Sequence, residues 1–374
     1  VVTGLTALGL RGTDPALEEA ARSVARPLRV VTRILLPLAW PAIALAALLV
    51  FAISISEIGV PMFLRVRTYP AAVFSRLGGV SYAPGEAFAL VLPLLALASV
   101  LLLLERRFIG RRSFASLGVR RDERGLFRLG RYRLPVSAGV WAACGVSLAP
   151  LLALGLRAGG DGFAALPRWL EGSLVNSLVV AAGAATIVTL VGVIAGLRLA
   201  RRRRGSALLD GAAMFAFITP AAVLGVGTLM TWNRPQTQLV YTSAWILIVG
   251  LVARYAVIGV RTVAAVISRS SPSYAEAAAA CGGSFVRRLL RISVPMHARG
   301  IIAAWTLALV FCLRDLETVI IFYPPGRETL PVRIFTLEAN GPEEVVAALA
   351  LAHALLTAAV LLVAGLLLRA RRRP

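Results

Sequence analysis

The chain has 374 residues, 58% of them hydrophobic and only 16% charged, with a mean hydropathy of +0.81. That balance excludes an ordinary soluble globule, whose apolar share is nearer half, and predicts an all-α polytopic membrane protein. The formal charge is +22 and all 40 basic residues are arginine; without lysine there is no Walker A phosphate loop and no Schiff-base chemistry.

A bilayer core about 30 Å thick needs roughly 20 mostly apolar residues. Eight stretches meet that in chain order: 41–64, 88–104, 135–156, 174–197, 207–230, 239–260, 300–323 and 345–368. Pro93, Pro150 and Pro220 fall inside three of them, which membrane helices tolerate where neighbours satisfy the freed carbonyls. Threading the spans with the N-terminus inside puts 30 arginines in segments 1–37, 105–134, 198–206, 261–299 and 369–374, against 8 in the opposite loops. Positive charge is retained on the cytoplasmic side, so both termini are expected there.

The same distribution explains the net charge. The arginines are spread over every inner loop rather than gathered on one soluble face, which predicts contact with anionic membrane lipid and no nucleic-acid role. The run Arg201, Arg202, Arg203, Arg204 lies between two closely spaced spans and pins a turn. Segment 105–134, with Gly110, Gly118, Gly125 and Gly130 through it, reads as a basic linker between two membrane units. Cys144, Cys281, Cys312, His297 and His353 lack ligand spacing, so no metal site, cofactor or disulfide framework is predicted.

An internal repeat organises the chain. Residues 14–37 align with 272–295: Glu18 with Glu276, Ala20 with Ala278, Arg29 with Arg287, Arg33 with Arg291, Ile34 with Ile292 and Pro37 with Pro295. The register reaches Glu57 and Asp315, and after a slip of three it pairs Thr68, Pro70, Val73 and Phe74 with Thr329, Pro331, Ile334 and Phe335. Four spans separate the linker from the second copy and none precedes the first. The expected units are therefore 1–104, the C-terminal part of a first half; the linker 105–134; and 135–374, a second half with six spans. The further expectation is an N-terminally truncated chain, part of a product with about twelve spans.

Each copy is a cytoplasmic, alanine-rich segment, then a basic stretch, then proline at the membrane boundary. In the second, the run from Ser273 to Glu276 is a capping-box pattern that starts a short helix, Ala277 to Ala280 give it a small face, and Gly282 with Gly283 stops it. In the first, Asp14 and Pro15 are the N-cap and first helical residue.

These segments resemble the signature of the membrane permeases of ATP-binding-cassette (ABC) importers: Glu-Ala-Ala, three residues, Gly, nine residues, Ile, one residue, Leu-Pro. Glu276, Ala277, Ala278, Gly282, Ile292 and Pro295 fit it, with Val294 for leucine. The first copy offers Glu18, Glu19, Ala20, Ile34, Leu36 and Pro37, with Val24 in place of the glycine. The fused arrangement resembles the iron(III) and thiamine permeases. The resemblance implies a transport subunit rather than an enzyme, in the bacterial inner membrane. It implies a separate cytoplasmic ATPase, as a dimer, whose groove receives each segment as a coupling helix, and a periplasmic or lipid-anchored solute-binding protein docking near Thr68–Pro70 and Thr329–Pro331. Glu18 and Glu276 would make polar contacts with the ATPase and the alanines would allow close packing. Ferric iron is the solute expected first; thiamine, polyamine or phosphonate import is the alternative.

Charged groups within spans cost about 2.5–3.5 kcal/mol each on insertion scales. Glu57, Asp315, Glu317, Arg314 and Arg254 are the candidates for a polar translocation path, with Asn176 and Tyr255 behind them. An internal ion pair, such as Arg314 with a carboxylate, is the competing reading. Gly192 and Gly196 form a small-xxx-small pair suited to close helix contact. A membrane enzyme is the competing class, but neither His-Glu-x-x-His nor Gly-x-Ser-x-Gly occurs.

Overall fold

The computed structural model describes residues 6, 23, 27–78, 84–108, 133–170, 172–201, 204–268, 270, 274, 277, 280–282 and 284–370. Among these no strand occurs; the fold is all-α. In chain order the main helices are α1 Leu36–Ser56, α2 Gly59–Phe63, α3 Tyr69–Gly78, α4 Pro84–Phe108, α5 Arg133–Leu170 and α6 Ser173–Ala200. They continue with α7 Ser206–Ile218, α8 Ala221–Trp232, α9 Trp245–Ile267, α10 Ala298–Leu313, α11 Leu330–Asn340 and α12 Glu343–Ala370. Five helices are long and apolar enough to cross a bilayer, or up to eight spans if each of three bent pairs counts as one. The chain is a multi-pass membrane protein.

The bends have chemical causes. Between α7 and α8 the axis turns by 107°: Pro220 supplies no N–H, and Thr219 before it is extended at φ −60°, ψ 128°, the conformation a following proline favours. Pro93 and Pro150, by contrast, sit within continuous helices. In α5, far longer than one span, Gly159 at φ +52° breaks the helical geometry and separates 133–158 from an outer segment. α10 ends at Leu313, so the predicted span 300–323 is not one helix; its outer part returns as an irregular segment with a 3₁₀ turn at Val319–Ile321.

α9 is the most buried span, packed along α6 and against α7 and α10. Gly192 and Gly196 serve that contact as predicted: a Cβ on Gly192 would come within 2.5 Å of the Gly259 carbonyl carbon, and one on Gly196 within 2.9 Å of the Val260 oxygen. Only backbones without side chains can approach so closely. Ile321 and Phe322 fill the spaces over Gly225 and Gly250, wedging the irregular segment against α8 and α9. α5 packs on α12 and turns Leu134, Trp141, Leu152 and Leu156 outward, as a helix facing acyl chains does.

Candidate functional site

The two repeated modules have the same succession of elements. Helical turns at Pro27–Val30 and Phe285–Arg288 are followed by π-helical turns at Val31–Leu35 and Leu289–Ser293, in register at the 258-residue offset. In each, one wide-turn hydrogen bond is given by the residue after the turn: Leu36 N–H to the Val31 oxygen, and Val294 N–H to the Leu289 oxygen. Pro37 and Pro295 follow, both exposed; the chain then bends by 56° within α1, between Trp40 and Ala42, and by 81° into α10. Glu18, Glu19, Ala20, Glu276 and Ala278 lie outside the described residues. Ala277 is exposed. Gly282 has φ +76°, a left-handed conformation that suits glycine.

His297, 7% exposed, fastens the base of the second segment. Its Nδ1 lies 2.7 Å from the Ser293 carbonyl, which only accepts, so Nδ1 carries the proton and donates. Nε2 is 2.9 Å from Ser270 Oγ, whose hydroxyl also lies 2.8 Å from the Ile267 carbonyl. Beside it, a Cβ on Gly300 would overlap Val266 of α9. The two ends of the segment therefore meet. The equivalent residue in the first copy is Ala39.

α1 ends at Ser56 and α10 at Leu313, so Glu57 and Asp315 both sit just past a helix end. The candidate charges then divide. Arg254 on α9 donates to Thr318 Oγ1 at 2.6 Å and Glu317 Oε2 at 2.7 Å, and pairs with Asp315 Oδ2 at 3.3 Å. Tyr255 O–H donates to Asp315 Oδ2 at 2.7 Å; Asp315 Oδ1 accepts from the backbone N–H of Thr318 at 2.9 Å. Arg254, Asp315 and Thr318 are buried, and the Glu317 side chain is 13% exposed. Arg314 points outward instead, and the ion pair is Arg254 with Asp315 and Glu317 rather than Arg314 with a carboxylate.

Glu57 is half-buried and makes no ion pair among the described residues; its Oε1 accepts a 3.4 Å bond from Val60 N–H. It lies close enough to Glu317 for their charges to interact, and Leu316 approaches the space over Gly59. Nearby, Phe74 and its repeat equivalent Phe335 meet edge to face at 6.1 Å, and Phe63 lies 5.5 Å from Phe335. Contact between equivalent positions is what a pseudo-twofold axis produces. Asn176 is not on that interface: its amide donates to the Gly326 and Glu328 carbonyls, tying down the loop before α11.

A second buried charge cluster, at the other end of α9, was not anticipated from the sequence. Arg261 of α9 grips Asp210 of α7 through two bonds of 2.7 and 2.9 Å, and reaches Glu105 of α4 at 2.9 Å. Glu105 is 3% exposed. Counting arginines by loop hid this, because Glu105 and Arg261 stood at the edges of predicted inner loops. The usable signal was an acidic residue next to an apolar span.

No protein-family model matches the sequence. The chain is 23% identical over 332 residues to the ferric transport system permease protein of Actinobacillus pleuropneumoniae, covering 83% of this chain and 48% of that one. It is 29% identical over 175 residues to a 2-aminoethylphosphonate transport system permease protein of Salmonella paratyphi A, covering 45% and 64%. A third relative is the spermidine/putrescine transport system permease protein of Haemophilus influenzae, 26% identical over 196 residues, covering 52% and 75%. The chain spans about half the length of the ferric permeases it matches. It resembles ABC importer permeases, the iron(III) permeases among them, and these relatives are transport permeases rather than enzymes.

Proposed function

We propose that the chain acts as the permease subunit of an ABC importer, passing a solute from a periplasmic or lipid-anchored binding protein to the cytoplasm, with ATP hydrolysed by a separate dimeric ATPase. The observation that carries this reading is the doubled module: a π-turn and a proline repeated at one offset, each followed by a bent span. Two such segments offer a dimeric ATPase one attachment each. Glu18, Glu19 and Ala20 in the first, and Glu276, Ala277 and Ala278 in the second, are assigned to that attachment. Units 1–104 and 135–374 are the two arms it moves, joined by 105–134.

Between the arms, Glu57 and Glu317 are the polar groups assigned to the path, while Arg254 and Asp315 hold the break in α10 that presents Glu317. Arg314 stays a candidate for the outer mouth. Ferric iron is our first solute, on the likeness to ferric permeases over most of this chain; thiamine, polyamine and phosphonate are the alternatives. The test is reconstitution with the cognate ATPase and binding protein. Glu18→Ala with Glu276→Ala should leave ATP hydrolysis running while uptake stops, and uptake unchanged by the pair would refute the coupling assignment. Iron, putrescine and 2-aminoethylphosphonate supplied separately decide the solute.

A further inference from the structure

We infer that Pro37 and Pro295 are positioning residues which, by forcing the π-turn before them, set the rotational register between each cytoplasmic segment and the span it moves; this rests on the permease reading above. The two turns cover equivalent residues, Val31–Leu35 and Leu289–Ser293, and each closes one residue short of the proline at Leu36 and Val294. A proline ring collides with the carbonyl four residues back. Here those carbonyls belong to Arg33 and Arg291, in the middle of each turn. Widening the turn by one residue moves the carbonyl off the ring.

The widening has a mechanical consequence. A π-turn holds one residue more than an α-turn, so everything before it is rotated by about 100° and shifted by about 1.5 Å relative to an unbroken helix. That rotation decides which side of the cytoplasmic segment faces outward. Because the chain then bends by 81° before α10, turning the segment about its own axis swings the span sideways. His297 and Ser270 close the base of the second segment, so the rotation is not lost in a loose loop.

The native cysteines supply a direct test in the assembled transporter. Cys144 on the acyl-facing α5 and Cys281 in the second segment are exposed, and Cys312 is buried, so a membrane-permeant spin label added in detergent attaches at the first two and reports their separation. Pro295→Ala should let the turn relax to α-geometry and move the 144–281 distance distribution. Uptake of ferric citrate should fall about tenfold while ATP hydrolysis continues, the size of an ordinary coupling free energy. Deleting Leu290 in the Pro295→Ala background removes the extra residue together with the ring that demanded it. That double variant should regain both the original distance and the uptake. An unmoved distance in Pro295→Ala overturns the inference, as does a double variant that regains the distance without the uptake. If the wild-type transporter takes up no iron, the solute assignment fails, and the label distances still decide the register.

Discussion

Arg254 shows how an apolar span accommodates charge. Its guanidinium serves Thr318, Glu317 and Asp315, and removing it would leave the buried Asp315 carboxylate and the mostly buried Glu317 without their cation. Breaking a buried pair from one side costs about 3–5 kcal/mol, whereas replacing all partners by neutral groups of like shape is often near neutral. Arg254→Met should therefore destabilise the protein by about 3 kcal/mol, and adding Asp315→Asn and Glu317→Gln should recover most of it. Thermal unfolding in detergent checks both, and equal losses in the single and triple variants would contradict the network. The sequence offered Arg314 with a carboxylate as the example of an ion pair, and Arg254 takes that place for a simple reason. Adjacent residues near a helix end point about 100° apart, so Arg314 turns outward while an arginine from another helix fills the place beside Asp315. His297 invites a second test at this scale. His297→Ala should remove the side-chain link between Ser270 and the Ser293 carbonyl while that carbonyl keeps the backbone N–H of residue 297, a loss of about 1 kcal/mol, and His297→Asn should keep part of it. Hydrogen exchange at residues 293–297 should rise in the alanine variant and much less in the asparagine one.

Between helices, the α6–α9 contact is made by glycine. A side chain at Gly259 would run into the Val188 carbonyl, and one at Gly192 into Gly259. Gly259→Val should force the two backbones apart and cost at least about 1–3 kcal/mol, the range for overpacking. Gly227→Ala, with open space around it, should change stability by less than about 0.5 kcal/mol. Denaturation midpoints of the two variants separate a spacing role from a general need for small residues. This contact was legible in the sequence, because Gly192 and Gly196 lie one helical turn apart in an apolar run. The spans were legible too, since bilayer thickness fixes their length. The π-turns were not: a one-residue insertion barely alters hydrophobic periodicity, and the prolines announce only that a helix must yield near them. The end of α10 at Leu313 was hidden for the opposite reason. Val319 to Phe322 are as apolar as a helix interior, yet they pack as a wedge against Gly225 and Gly250.

At the scale of the whole molecule, charge and packing make the same distinction between the two ends of the bundle. One end gathers Arg106, Arg198, Arg261 and the basic residues of both π-turns. It is also where Arg261 ties α9 to α4 and α7. The other end carries the short connections around Glu328 and Glu343. Retention of arginine on the cytoplasmic side then predicts Cys281 inside and the loop before α11 outside. A membrane-impermeant maleimide should label Cys281 in inside-out vesicles and not in intact spheroplasts. In a variant carrying Arg327→Cys, at an exposed position of the outer loop, labelling should also occur in spheroplasts. Cys312 is buried and Cys144 lies on the acyl-facing α5, so neither should confuse the reading. The reverse pattern would put both repeated segments on the side of the membrane without ATP, where no nucleotide-driven subunit could reach them, and the import mechanism would fail with the topology.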